Sequence, residues 1–569
     1  MATNEFPEPV EVTEEKATAD LESKNSQGLP PQMDEPMLPT WRLAIICVCV
    51  ALGLFLSLLD TTIVATALYS IGADFDAETS VTWVALAYTL SYVGCAVLCA
   101  RLADVLGRRN AYVASFVIFG VFSIGCGFAK SLDQLIACRA LQGVGGSGLY
   151  SLTFIVLAEV SPQRLTKFIG SFAGMVVATA GVLGPVLGGL ITHYTTWRWI
   201  FWINAPIIFF PLILFCIAWP KSNQLRPVQR QFFRQLDIIG CILLIAASVL
   251  VVYSFQEAGI NANFWGSAKF IAPLVVGCLC WVLLFAWEAL VFRLWEESVA
   301  SIWPLRLFKH RVFMAAMFST MITGFPYFAI IYNLPIRLQV VNGKNQLESG
   351  VGLLPLLGTA AVGSMLGGFI SSKKNRTWET LVAAACLMAL GTGLLSTLGN
   401  TPEVEPKTYG FQVFVGLGLG LTVSTVSMLA SIESEIRDQA VAQGIIAQSR
   451  VLGGSIGIAA STAILGVIER RQLTGIVSEA QLASLQSVAG RLSLLQLQAV
   501  RQAYSDSFSE TLRVCAIIAA IGILVTLFTY QPERLEVMER RKQQIAQEMQ
   551  RQRAVRARQQ EMSNEKNSD

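Results

Sequence analysis

The apolar positions of this chain come in long uninterrupted blocks. Fourteen stretches contain no Asp, Glu, Lys or Arg: residues 43–59, 79–100, 110–129, 140–158, 168–197, 199–220, 238–256, 270–287, 312–336, 349–372, 380–402, 408–432, 451–468 and 514–532, each 17 residues or longer. A helix crosses a bilayer in about 20 mostly apolar residues, with a range of roughly 17–25. Lipid offers no partner to an open strand edge, so each block is expected to be a helix. The pattern predicts an all-α, polytopic membrane protein. Gly and Pro inside the blocks suit membrane helices better than soluble ones.

The polar stretches divide the chain. Residues 1–40 carry nine acids and two lysines and read as a disordered acidic cytosolic tail with no cleavable signal peptide. Residues 41–220 hold six blocks, 221–311 two inserted blocks and their linkers, and 312–530 six more. Segment 470–511 is expected to be an outer amphipathic piece, with Leu482, Leu485, Val488, Leu492 and Leu495 at helical spacing. Residues 531–569 form a charged cytosolic tail. Arg551, Arg553, Arg556 and Arg558 there have a solvated reading and an anionic-lipid reading. With the N-terminus in the cytosol, inner loops hold eighteen Lys and Arg against seven in the short outer loops. That bias puts both termini inside; segment 469–513, with five Arg outside, is the exception.

Composition narrows the classes. The chain is 53% hydrophobic and 14% charged, with mean hydropathy +0.55 and net charge +3, which excludes a nucleic-acid binder. Two histidines and twelve scattered cysteines leave no metal site and no disulfide framework. No phosphate-binding G-x-x-x-x-G-K-[ST] and no soluble catalytic constellation appears, so an enzyme or ATP-driven pump is not expected.

Charges and glycines inside the blocks are the candidate chemistry. Asp60 follows 17 uncharged residues, and Arg139 opens the fourth block. A charge embedded in an apolar helix is costly and marks a functional site by default. Both are placed on the outer side of mid-membrane in the first half, with outer-interface water as the alternative for each; sequence gives depth and not azimuth. Gly143, Gly145, Gly146 and Gly148 follow Arg139 and allow close helix approach. Gly181, Gly184, Pro185, Gly188 and Gly189 combine a missing backbone donor with a smooth face, as a hinge or a plain packing helix would. The turn Arg101–Asn110 contains Asp104, Gly107, Arg108 and Arg109. It reads either as a switch, with a carboxylate near a helix end, or as a positive-inside topology loop. Trp197–Pro206 reads as an interfacial aromatic belt, and Arg450 either faces a cavity or marks the inner end of its span.

These strings resemble the major facilitator superfamily. Leu102, Ala103, Asp104, Gly107, Arg108 and Arg109 are similar to its loop 2–3 signature, with Ala100 and Val105 departing from it. A degraded copy, Gly367–Arg376, keeps the glycines and basic cluster and loses the Asp. Arg139, Gln142 and Gly143 resemble the motif that the family links to proton coupling, and Gly181–Gly189 the motif of its antiporters. Leu59–Leu68, Trp197–Pro206, Ser349–Pro355 and Gln443–Gly454 are similar to strings of the fourteen-span drug–proton antiporter family. The resemblance covers about residues 40–530 and is nearest to fungal multidrug and toxin exporters.

It implies a 6 + 2 + 6 major-facilitator fold with a mid-membrane cavity. It also implies proton-coupled efflux of a lipophilic or amphipathic small molecule. Asp60 and Arg139 would couple the proton, Asp104, Gly107, Arg108 and Arg109 would form the conformational-switch loop, and Gly181, Gly184, Pro185, Gly188 and Gly189 the antiporter hinge. A proton gradient would take the place of a cofactor. The expected partners are a small-molecule substrate, protons and the lipid bilayer, with the chain a monomer in the plasma membrane or the vacuolar membrane. A carrier of basic amino acids or metal chelates, and a non-transporting receptor on the same scaffold, are the alternatives. Substrate-binding residues are not assigned.

Overall fold

The computed structural model describes residues 39–532, apart from 76–79, 161–168, 221–236, 261–265, 296–298, 300, 375, 436–437 and 477–492, together with Glu539 and Ala546. Most of both expected tails lies outside the described residues, as do Leu482, Leu485, Val488 and Leu492. Among the described residues fourteen helices are long and apolar enough to cross a membrane. They are α1 Thr40–Asp74, α2 Thr82–Leu106, α3 Arg108–Phe128, α4 Leu132–Val160, α5 Ile169–Tyr194, α6 Asn204–Ala218, α7 Ile238–Ile260, α8 Ala268–Leu294, α9 Arg311–Val340, α10 Leu354–Lys374, α11 Thr377–Leu395, α12 Lys407–Glu433, α13 Gln439–Leu473 and α14 Leu494–Leu527. Short helical turns at Trp199–Trp202 and Gln346–Val351 lead into α6 and α10 and complete their membrane-crossing lengths, Trp199–Ala218 and Gln346–Ser371.

Two bundles result. In the first, α1 packs on α5 and α6, and α4 on α2 and α3. In the second, α13 packs on α9, α12 on α10 and α11, and α14 on α9 and α11. The inserted α7 and α8 pack on each other, and α7 also lies along α2 and α13. Apolar side chains face outward as well as inward: Phe210 is 65% and Phe369 73% exposed. Lipid, not water, is the solvent that such a surface requires.

Small residues set the helix spacing. A Cβ on Gly143 would strike the Tyr88 carbonyl, one on Gly145 the Phe119 backbone, and one on Gly148 the Ser115 hydroxyl. These glycines let α2 and α3 seat directly against α4. Gly107 has a different reason. It links α2 to α3 at φ +88°, a region that favours glycine, and nothing lies near where its Cβ would be. Gly107→Ala is therefore expected to cost about 1–3 kcal/mol through backbone strain alone, read as a loss of thermal stability in the purified protein. No loss would mean that the turn relaxes freely.

The helices overrun the charge-free blocks at the charges that matter. α1 continues to Asp74, so Asp60 sits inside it; α4 begins at Leu132, two turns before Arg139; α13 begins at Gln439, so Arg450 is internal to it and is not its end. The expected amphipathic segment 470–511 is described only at its two ends, with 477–492 outside the described residues. Residues 470–473 close α13, and 494–511 open α14, a single helix of 34 residues. A Ser493–Gln496 capping box starts α14. Its early polar side chains bond inward, Ser505 to Arg337 and Asp506 to Gln472, so this stretch packs against α9 and α13 and does not lie flat on a surface.

Candidate functional site

Asp60 and Arg139 meet in the interior of the first bundle. The Arg139 Nη1 group donates to Asp60 Oδ2 and, at 2.9 Å, to Gln142 Oε1, while Nε donates to the Val84 carbonyl at 3.1 Å. Asp60 Oδ1 accepts from Gln142 Nε2 at 3.1 Å and from Asn204 Nδ2 at 3.4 Å. Asn204 also donates to Ser123 Oγ at 3.0 Å. The Tyr88 ring lies 4.3 Å from the guanidinium carbon. Neither charged side chain has any solvent exposure, which sets aside an Arg139 that snorkels to an interface and an Asp60 that reaches outer water. A pair taken out of water is retained only with further hydrogen bonds, and α2, α4 and α6 supply them. One donor stays spare: Arg139 Nη2 has no acceptor among the described residues.

Two threads run outward from this pair. Tyr332 of α9, in the second bundle, donates to the Thr61 carbonyl at 2.7 Å, one residue beyond Asp60. Thr62 faces α5, where its hydroxyl fills the place a Cβ on Gly184 would need.

The five small residues of α5 divide into two faces. Gly184 and Gly188 abut Thr62 and Ile63 of α1, within one bundle. Gly189, the Pro185 carbonyl and Gly181 face Gln346, Gly350 and Leu357 of the other bundle. This α5–α10 seam closes the end of the molecule away from the termini, since odd-numbered helices run toward that end.

In the turn after α2, Arg109 donates to the Cys216 carbonyl at the end of α6 at 3.2 Å. The Asp104 side chain lies outside the described residues, so its partner is not assigned. Arg101 reaches the Ser301 carbonyl in the linker after α8 at 2.8 Å. That linker is well held. Buried Glu288 accepts from Ser301 Oγ at 2.5 Å and from the Trp303 amide at 2.9 Å. Trp303 Nε1 donates to Gln448 of α13 at 3.0 Å, and Gln448 in turn donates to the Val93 carbonyl of α2. Trp197 is buried and bonds Asp74 at 3.1 Å, and Arg198 pairs with the same carboxylate at 2.9 Å. Of the three tryptophans in that string, Trp199 alone stands on the exposed surface expected of a belt, and Trp202 is half-buried.

Sequence reasoning missed Tyr88, Ser123, Asn204 and Tyr332. Asn204 carried a usable signal, being a lone amide among apolar residues.

Comparison with known proteins bears on what this arrangement serves. A family model described as the Major Facilitator Superfamily matches residues 50–458. An MFS-type transporter of Fusarium mangiferae, FPY5, is 32% identical, over 87% of this chain and 85% of its own. The efflux pump roqT of Penicillium rubens is 27% identical, over 87% and 92% respectively. An MFS-type efflux pump of Pseudozyma antarctica, MMF1, is 29% identical, over 86% and 91%. Among solved structures, a bacterial homolog of the human lysosomal transporter Spinster, inward-facing and unoccupied, superposes with TM-score 0.57 at 16% identity. The superposition covers 86% of this chain and 99% of that one.

Proposed function

The chain belongs to the Major Facilitator Superfamily, and from that premise we propose that it exports a lipophilic or amphipathic small molecule in exchange for protons. Its class as a multi-pass membrane transporter, not an enzyme, follows from the family, the relatives and the fourteen helices. The observation that carries the finer reading is the fully buried Asp60–Arg139 pair, one residue from the Tyr332–Thr61 bond that joins the bundles.

A proton reaching the Asp60 carboxylate weakens its hold on Arg139, whose spare Nη2 donor can turn toward another acceptor. The strain passes through Thr61 to α9 and through Thr62 to α5. Alternating access then exchanges the side to which the space between the bundles opens. Proton release on the other side resets the pair. The fungal relatives that are named efflux pumps support the outward direction. A carrier of basic amino acids or metal chelates is disfavoured: the Asp60 charge is spent on Arg139, and buried Glu288 belongs to the inserted pair. The proton gradient stands in place of a cofactor, and a monomer in the plasma membrane with both termini in the cytosol is the arrangement proposed.

Reconstituted into liposomes with an acidic lumen, the chain is expected to release lumenal protons when its substrate is supplied outside, at a rate that falls as the gradient is dissipated. Uptake indifferent to the gradient would refute the coupling. Orientation has its own check. Asn375-Arg-Thr377 is the single N-x-[ST] sequon of the sequence and is placed in the cytosol. It should carry no glycan in cells, and a glycan there would invert the topology.

A further inference from the structure

We infer that the space between the bundles at Arg450 recognises an organic anion carrying an aromatic or conjugated ring system. This deepens the exporter reading and rests on it for the step of transport.

Arg450 stands on α13 facing the other bundle, where its Nη2 lies 3.4 Å from the Tyr150 hydroxyl of α4. Unlike Arg139, it keeps partial exposure in the middle of its helix, and so does Tyr327 of α9. Both are half-buried, and the Tyr150 contact places Arg450 on the face of α13 that meets α4 of the other bundle. Among the described residues no carboxylate pairs with Arg450. Asp60 and Arg139 cancel each other, so the Arg450 guanidinium leaves this part of the interface positive. A cation at membrane depth without a counter-charge is expensive unless something anionic or aqueous answers it.

The surroundings are aromatic. Tyr150 stands edge-on to Tyr92 with ring centroids 5.8 Å apart, and packs on Phe154 at 5.3 Å. Tyr327 adjoins Phe328 at 5.3 Å. Phe154, Phe172 and Val451 are partly buried hydrophobics packed against the cluster that holds Tyr92 and Tyr150. Ligand sites are mostly apolar, with a few polar groups that fix orientation. Here the one strong polar group is a fork of N–H donors suited to carboxylate or sulfonate, and the walls suit a flat ring. Neutral lipophiles would leave the guanidinium unanswered, and cations would be repelled.

The test titrates the full chain in lipid nanodiscs with N-phenyl-1-naphthylamine and with 8-anilino-1-naphthalenesulfonate, which share a ring system and differ by one sulfonate. The saturable, protein-dependent signal is read. The sulfonate is expected to bind about tenfold tighter or more, the scale of a charge-assisted pair. Arg450→Gln should erase that preference while leaving the neutral probe's affinity unchanged. Arg450→Lys keeps the charge without the fork and should weaken the sulfonate severalfold. Equal affinities in the wild type overturn the proposal without recourse to a variant that misfolds, and so does a preference that survives Arg450→Gln. Proton-driven uptake in liposomes separates the two readings. If neither probe is driven by the gradient while the charge preference stands, the coupling reading falls and the anion site remains. If both are driven and bound equally, the anion site falls and the exporter reading remains.

Discussion

Asp60→Asn and Arg139→Ala are each expected to abolish gradient-driven export and also to destabilise the protein by about 3–5 kcal/mol. The second effect follows from complete burial: removing one charge strands the other with no water to solvate it. A loss of export in either single variant therefore does not by itself identify a coupling site. The double variant Asp60→Asn/Arg139→Gln removes both charges, keeps the shape at Asp60, shortens the side chain at Arg139, and leaves amide groups able to bond Gln142, Asn204 and Val84. Removing both charges together leaves no stranded buried charge, the source of the large loss in each single variant. The double variant is expected to regain wild-type thermal stability and substrate binding, yet to equilibrate substrate without pumping it uphill. Thermal unfolding and efflux from vesicles, with and without an imposed pH gradient, form the cycle. Uphill export by the double variant would reduce the pair to a structural bridge and send the proton elsewhere.

Substitutions on the two faces of α5 are expected to separate folding from transport. Ala at Gly189 or Gly350 puts a methyl group into the backbone of the opposite bundle, at Gln346 or Pro185. Only the state with a closed α5–α10 seam meets that clash. Overpacking costs about 1–3 kcal/mol, so the closed state loses roughly tenfold to hundredfold in population. Export should fall to a similar extent with little change in thermal stability. Gly184→Ala and Gly188→Ala clash instead with Thr62 and Ile63 inside one bundle, in every conformational state. Those two should lower thermal stability first, and transport only as far as folded protein is lost. If all four variants lose stability and transport in parallel, the seam has no gating role.

The number and class of the helices were legible because the lipid requirement writes itself into composition. The ends of the helices were not. Counting charge-free residues stops a span at its first charge, and Asp60, Arg139 and Arg450 each stopped one. Asp60 and Arg139 neutralise one another across α1 and α4, so the helices run on through them, but a linear count cannot see a partner 79 residues away. The same blindness to azimuth hid Tyr332, which comes from the other bundle, and Asn204, whose donor reaches Asp60 from α6. Arg198 lies within the string read as an interfacial aromatic belt; its partner Asp74 became visible only once α1 was known to extend that far. Segment 494–511 misled for a related reason. Its apolar spacing suggested an outer amphipathic piece, whereas Ser505 and Asp506 bond to α9 and α13 within a helix that runs on to Leu527.

The linker after α8 gives the inserted helices a mechanical meaning. Ser301 holds Arg101 of α2, while Trp303 holds Gln448 of α13, and both linker residues are anchored on Glu288. α2 and α13 belong to different bundles, so the inserted pair is a tether that limits how far they can swing apart on the side of the termini. The other long seam, between α5 and α10, shows no such hydrogen-bonded restraint among the described residues and rests on glycine and apolar contacts. Excising α7 and α8 would thus not yield a simpler twelve-helix carrier. It would free one side of a rocking mechanism that is built to move asymmetrically, with leak in place of exchange as the expected outcome.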